Sequence, residues 1–230
     1  LNVSRSYLQS DAQVKKISNH IAKKVADRLD ELFRNERPLF EEKWDSLKVF
    51  VQYGMLSDEK FYERAVKFDL LTDLEGKYFT LEEYRTLTES EQTDKDGQLV
   101  WLYTNDKEGQ YSAIERAREK GYSVLVLNGP LDVHAISQLE QKLEKTRFVR
   151  VDSDSIAKLI VKDEAKESHL SAEEQKTLSE IFKARLPKDE KRNYSVVFEA
   201  LGAEADAVLI TQGEFMRRMQ EMARLQPGMN

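Results

Sequence analysis

Cysteine is absent from the 230 residues. The chain therefore has no disulfide framework, no thiolate metal site, no iron–sulfur ligation and no cysteine nucleophile, which fits a reducing compartment. Proline (4) and glycine (9) are scarce, which excludes collagen-like and linker-rich proteins. No apolar run approaches the ~20 residues that span a bilayer, and no signal peptide is visible, so no membrane partner is expected. Basic residues are not in excess. Lys and Arg number 36 against 42 Asp and Glu, a net charge of −6, which argues against a dedicated nucleic-acid binder. The three histidines, His20, His134 and His169, lie far apart without metal-ligand spacing, so no metal site is expected.

What the chain does have is charge. Charged residues make up 34% and hydrophobic ones 40%, against about 25% charged in an average globular protein. This composition gives much solvated surface and modest cores, while the apolar residues are too periodic for wholesale disorder. The length allows one large domain or two small ones. The chain opens on Leu1, not Met, and runs directly into Asn2-Val3-Ser4-Arg5. This start reads as a piece of something longer.

Periodicity divides the chain. Val14, Ile17, Ile21, Val25, Leu29 and Leu32 form one helical stripe. Pro38 ends that helix and suits the first turn of the next, which carries Phe40, Trp44, Leu47 and Val51. Gly54 is a plausible stop and Ser57 a cap for a third helix lined by Phe61, Ala65 and Phe68. Residues 1–75 are thus expected to be antiparallel helices. From about residue 96 the period changes. Leu99–Tyr103, Val124–Leu127 and Phe148–Val151 read as strands. Helices marked by Tyr111, Ile114 and Ala117, and by Ile136, Leu139 and Leu143, connect them. That order predicts a small parallel α/β layer. Residues 153–175 read as a charged linker. Leu178, Ile181 and Phe182 mark a further helix, Tyr194–Phe198 and Val208–Ile210 two more strands, and Phe215, Met216, Met219 and Met222 a last helix. The fold class expected is α/β, mixed α+β overall. It comprises a helical coil, a small three-layer α/β module with a short parallel sheet, and a partial α+β C-terminal domain.

Phosphate-cradling loops with the G-x-x-x-x-G-K-S/T or G-x-G-x-x-G pattern are missing, as is a G-x-S-x-G elbow. No carboxylate pair stands out from the solvated background. A self-contained catalytic site is therefore not expected. Arg5 and Gln9 stand four apart at the start of the first helix, where a guanidinium fork and a carboxamide would suit a phosphate oxygen. By spacing alone an ordinary polar first turn is the simpler account. The methionine helix groups adaptable apolar side chains of the kind used on promiscuous binding surfaces. By spacing alone its apolar face packs as core onto the Tyr194–Phe198 strand, and Arg217, Arg218 and Arg224 form the wet face.

Five segments carry a family resemblance. Leu1-Asn2-Val3-Ser4-Arg5-Ser6-Tyr7-Leu8-Gln9 resembles the L-N-V/L-S-R-E-x-L-Q motif of the 90-kilodalton heat-shock chaperones in their bacterial form. The long helix through Lys23-Lys24-Val25, Thr80-Leu81-Glu82-Glu83-Tyr84, Lys120-Gly121-Tyr122-Ser123-Val124-Leu125 and Pro130-Leu131-Asp132 are similar to later family segments in the same order. Ser6 departs from the family's usual Glu. Val133 and His134 do not match its acidic–aromatic pair, so no client role is carried to them.

The resemblance implies a fragment of an ATP-dependent, homodimeric, cytoplasmic stress chaperone. Residues 1–95 would be the catalytic-loop tail and connecting helical bundle, and 96–152 the small α/β subdomain. Residues 153–175 would be the linker and 176–230 the start of the C-terminal dimerisation domain. ATP and Mg would be bound mainly by an N-terminal domain outside this chain, with no cofactor in the fragment itself, which is expected to be inactive alone. The resemblance gives Arg5 the role of reaching the γ-phosphate of ATP across the domain boundary, with Gln9 in support. It gives Met216 and Met219 a place on a surface that binds unfolded or partly folded clients. Two other readings stand beside it. One is a non-enzymatic interaction scaffold. The other is an independent enzyme with a site at the strand C-termini, near Asn105-Asp106 and Asn128-Gly129-Pro130.

Overall fold

The structure is a computed structural model that describes residues 12–162, 170–187, 194–198, 200 and 207–225. Three helices come first: α1 (Ala12–Asn35), α2 (Arg37–Ser57) and α3 (Glu59–Ala65). Pro38 lies in the first turn of α2, as its missing N–H allows. Gly54 does not stop α2, which runs on to Ser57. Glycine is needed there for space, because a Cβ would lie 2.6 Å from the Phe61 ring. Nor does Ser57 cap α3. The Asp58 carboxylate does, accepting the Phe61 N–H at 2.9 Å. The stripe on α1 is buried only toward its end. Ile17, Ile21 and Val25 are exposed, whereas Ala26 is buried and Leu29 and Leu32 pack against the core.

A short antiparallel hairpin follows, where the sequence suggested only helices up to residue 75. Strands β1 (Leu70–Thr72) and β2 (Tyr78–Thr80) pair in register Leu71↔Phe79. Asp73 closes the turn by accepting the Lys77 N–H, and Gly76 takes the positive φ of 79° that the turn requires. Helix α4 (Leu81–Gln92) starts on a capping box, Thr80 with Glu83. Arg37, at the start of α2, bonds the same Glu83 carboxylate and, with the capping bonds, lowers it to about 2.

The α/β module is built around β3 (Leu99–Thr104), flanked on both sides by parallel strands in the order β4 (Val124–Val126), β3, β5 (Thr146–Arg150). Every residue of β3 is buried. Leu99, Trp101 and Tyr103 face one apolar cluster, which continues through Phe148 and Ile136 into the helices before the sheet. Val100 and Leu102 face the other, with Ile114, Ala117, Leu159 and Ile160. Helices α4 and α6 (Asp132–Lys142) therefore cover one face, and α5 (Tyr111–Glu119) and α7 (Ile156–Leu159) the other. This is the expected three-layer arrangement. Edge-to-face contacts link Tyr84 to Trp101 at 5.3 Å and Trp101 to Phe148 at 5.1 Å. The Trp101 indole donates to Thr88 at 2.9 Å, and Gln92 spans two strands by bonding Val100 O and Ser123 N.

Three other differences from the sequence reading emerge. The start of the expected linker, residues 153–160, belongs to the module, because Ser153, Ser155, Leu159 and Ile160 are buried. Tyr194–Phe198 and Val208–Ile210 are irregular rather than strands. Apolar alternation alone leaves a strand's backbone groups unpaired, and neither segment has a ladder partner among the described residues. After residue 170 come α8 (Ala172–Arg185), which buries no residue, and α9 (Glu214–Leu225).

A buried polar cluster ties the coil to the module. Asp132 accepts from Gln52 at 2.7 Å, from Lys48 at 2.8 Å and from the Gly129 N–H at 2.7 Å. Asp69 is buried at the same junction. Burial pushes its carboxyl up to about 7; Lys48 pulls it down and Asp132 pushes it further up. Between its ordinary value of 3.8 and about 7, the folded chain holds a proton that the unfolded chain has lost. Stability therefore falls as pH rises through that window. Asp69→Asn should raise the urea midpoint more at pH 8 than at pH 4.5. Identical pH profiles for variant and parent would refute this.

Candidate functional site

The final helix is where exposed apolar surface and buried charge meet. Phe215, Met216 and Met219 are 73%, 55% and 49% exposed. Among the described residues, no side chain of α9 belongs to, or packs against, either apolar cluster. Its polar face is the one that docks, reversing the orientation that spacing suggested. Arg217 and Arg218 retain only 11% and 12% of their side-chain exposure.

Glu214, in the first turn of α9, uses both carboxylate oxygens. Oε1 accepts from the Tyr103 hydroxyl at 2.7 Å and from Arg218 Nε at 2.8 Å, and Oε2 accepts from the Arg150 N–H at 3.0 Å. Arg218 grips Glu140 of α6 through two nitrogens, at 2.5 and 3.0 Å, and donates to Phe148 O at 2.5 Å. Burial opposes the charge of Arg218, and the bonds to Glu140 and Glu214 more than offset it, so the guanidinium is held above its ordinary value. Arg217 donates to the Asp152 carboxylate at 2.8 Å, which Arg150 also holds at 2.7 Å. Charge-assisted, bidentate bonds of this kind are the strong members of their class.

Other candidate positions have more local employment. Asp106 caps its own loop by accepting the Gly109 N–H at 3.0 Å, and Gln110 holds Thr104 and Asn105. At the next strand end, Asp132 holds the Gly129 N–H. At both strand ends, near Asn105-Asp106 and Asn128-Gly129-Pro130, the polar side chains Asp106, Gln110 and Asp132 are engaged in internal hydrogen bonds. Among the described residues no group of three or more His, Asp or Glu is placed to hold a metal ion. None of the described helices is long and apolar enough to cross a membrane. His20 is exposed and His134 half-buried. Arg5, Gln9 and His169 lie outside the described residues. A second apolar feature is a groove of about 560 Å³ between α1 and α2, lined by Ala22, Val25, Phe50, Tyr53 and Phe61. Sequence reasoning missed Glu140, Glu214 and Asp152, whose roles depend on contacts between residues far apart in the chain. The one local signal was Glu214 four residues before Arg218.

The geometry predicts opposite responses on the two faces of α9. Changing Phe215, Met216 and Met219 to Ser should leave the unfolding midpoint nearly unchanged, within about 0.5 kcal/mol per surface site. Arg218→Met leaves the Glu140 charge without its partner and should dissociate the helix or lower the midpoint. Calorimetry of the two variants checks both, and a large loss in the triple Ser variant would mean that the apolar face is core.

The chain matches the family described as Hsp90 protein over residues 1–229. It is 67% identical over all 230 residues to "Chaperone protein HtpG" of Porphyromonas gingivalis, covering 34% of that protein. It is 56% identical over the same length to the protein of that name from Bacteroides fragilis, again covering 34%. A more distant relative from Oceanobacillus iheyensis is 31% identical over 189 residues, 80% of this chain and 28% of that protein. The chain thus spans about a third of the length of the curated relatives it matches.

Proposed function

Because the chain belongs to the Hsp90 family, we propose that it is part of a molecular chaperone and that the outward face of α9 binds non-native client proteins. The observation that carries this reading is the inverted docking of α9. Its charged face is consumed by Glu140, Asp152 and the β5 backbone, while Phe215, Met216 and Met219 remain in solvent. Unbranched thioether side chains adapt to irregular partners, so a surface built on Met216 and Met219 suits clients without a common sequence. A helix fixed by its opposite face presents them already ordered, which lowers the entropic cost of binding.

In the whole protein the chain works beside its own N-terminal ATPase domain, in a cytoplasmic homodimer, with ATP and Mg bound mainly by that domain. Arg5 is the residue that reaches the γ-phosphate, and Gln9 supports it. The match of residues 1–9 to the family motif supports both assignments. An Arg brought from another domain neutralises charge on the transferring phosphoryl group only when the domains dock. Hydrolysis then reports the closed conformation and times the client cycle.

Two measurements test this function. With Met216 and Met219 both changed to Ser, affinity for an unfolded client should fall about tenfold or more, as for surfaces dominated by a few side chains. Unaltered affinity in the folded variant would refute the client surface. In the full-length protein, Arg5→Ala should slow ATP turnover far more than it weakens nucleotide binding. Equal turnover would remove Arg5 from the mechanism.

A further inference from the structure

We infer that the outer edge of β5 is a latent strand-addition site for an extended polypeptide, held shut in this structure by α9 together with Glu140 of α6. Strand β5 lies at the end of its sheet, with β3 on one side only. Its Val151 end turns inward, donating to Tyr103 O at 2.8 Å. Phe148 presents its N–H and its carbonyl outward and Arg150 its N–H, while the Arg150 carbonyl accepts the Ser153 N–H at 2.9 Å. There a neighbouring strand would supply partners, and three side chains do so instead. Glu140 accepts the Phe148 N–H at 2.6 Å, Arg218 donates to the Phe148 carbonyl at 2.5 Å and Glu214 accepts the Arg150 N–H at 3.0 Å. Two carboxylates and a guanidinium thus imitate the donors and acceptors of a strand's backbone. An exposed edge is a template for pairing with another chain, and covering it is how proteins prevent that pairing.

Two further observations identify the occupant. The groups offered are main-chain ones at alternate residues, which an extended backbone matches irrespective of its side chains. A cavity of about 380 Å³ runs beside the edge, bounded by Arg147, Phe148, Val149, Leu159, Phe215 and Arg218. Its sheet-side wall, Arg147, Phe148, Val149 and Leu159, stays in place when α9 leaves and offers contacts to the side chains of an added strand. The closure is also reversible in kind. Among its described side chains, helix α9 adds no apolar one to either cluster, so its release exchanges mainly polar contacts for other polar contacts. The occupant is therefore an extended segment of a non-native protein. This identification rests on the chaperone reading, but the edge groups involve neither Met216 nor Met219.

Arg218→Glu replaces the donor to Phe148 O with a like charge against Glu140. Glu214→Gln is the milder variant and weakens the bond to Arg150. In both, hydrogen exchange at the Arg150 amide, whose acceptor is Glu214, should accelerate while the Val151 amide keeps its protection. The binding probe is a fluorescein-labelled peptide of alternating Thr and Val. It should bind Arg218→Glu about tenfold or more tighter than the parent chain. Its twin, N-methylated on alternate residues, keeps the side chains but loses the donors and should not bind. Faster exchange without tighter binding, equal binding of both peptides, or unchanged exchange would each overturn the proposal. Repeating the titration with Met216 and Met219 changed to Ser separates the two sites. Peptide binding that survives belongs to the edge, and binding lost with the methionines belongs to the client face alone.

Discussion

A six-residue strand buried on both faces and paired on both sides sets the conditions for everything around it. With β3 completely buried, the side chains of Trp101 and Tyr103 need one covering layer and those of Val100 and Leu102 need another. The flanking strands then become the edges of the sheet, and each edge has backbone groups that water or protein must satisfy. On the β4 side the hairpin comes close, through the antiparallel bridge between Asp73 and Leu125. On the β5 side Glu140, Glu214 and Arg218 do it. The orientation of the last helix follows from that need. Its charges are drawn inward to a backbone edge, and its methionines are left outside.

The same logic accounts for where much of the chain's charge is spent. Many of its charges are structural. Asp132 gathers Lys48, Gln52 and the Gly129 amide at the junction of coil and module. Arg37 joins the start of α2 to the capping box of α4. Asp152 is shared between Arg150 and Arg217. Buried pairs of this type add little net stability once desolvation is counted, yet losing one partner is costly. They fix the relative orientation of the coil, the module and α9.

Legibility in the sequence varied with the range of the forces involved. The strand at Leu99–Thr104 was readable because its β-branched and aromatic run has a strand's length and composition. The helix from Tyr111 was readable up to Gly121, which takes a φ of 74°. The hairpin was not, since two three-residue strands carry too little pattern, although Asp73 and Gly76 were a usable turn signal. Gly54 looked like a stop because glycine often is one, whereas here the Phe61 ring needs its space. Alternation at Tyr194–Phe198 suggested a strand, and alternation does not supply a partner.

What the sequence by itself determined is most of the helices, the three parallel strands of the module and the family. Apolar period, caps and strand composition are local properties, and motif order is written along the chain. It also determined that α9 is amphipathic. Only the tertiary structure decided which face of α9 turns inward. Periodicity shows that a helix has two faces, but the face that docks depends on what it meets. Here that is a strand edge whose amides and carbonyl meet no further strand among the described residues, which charged side chains can satisfy and methionines cannot.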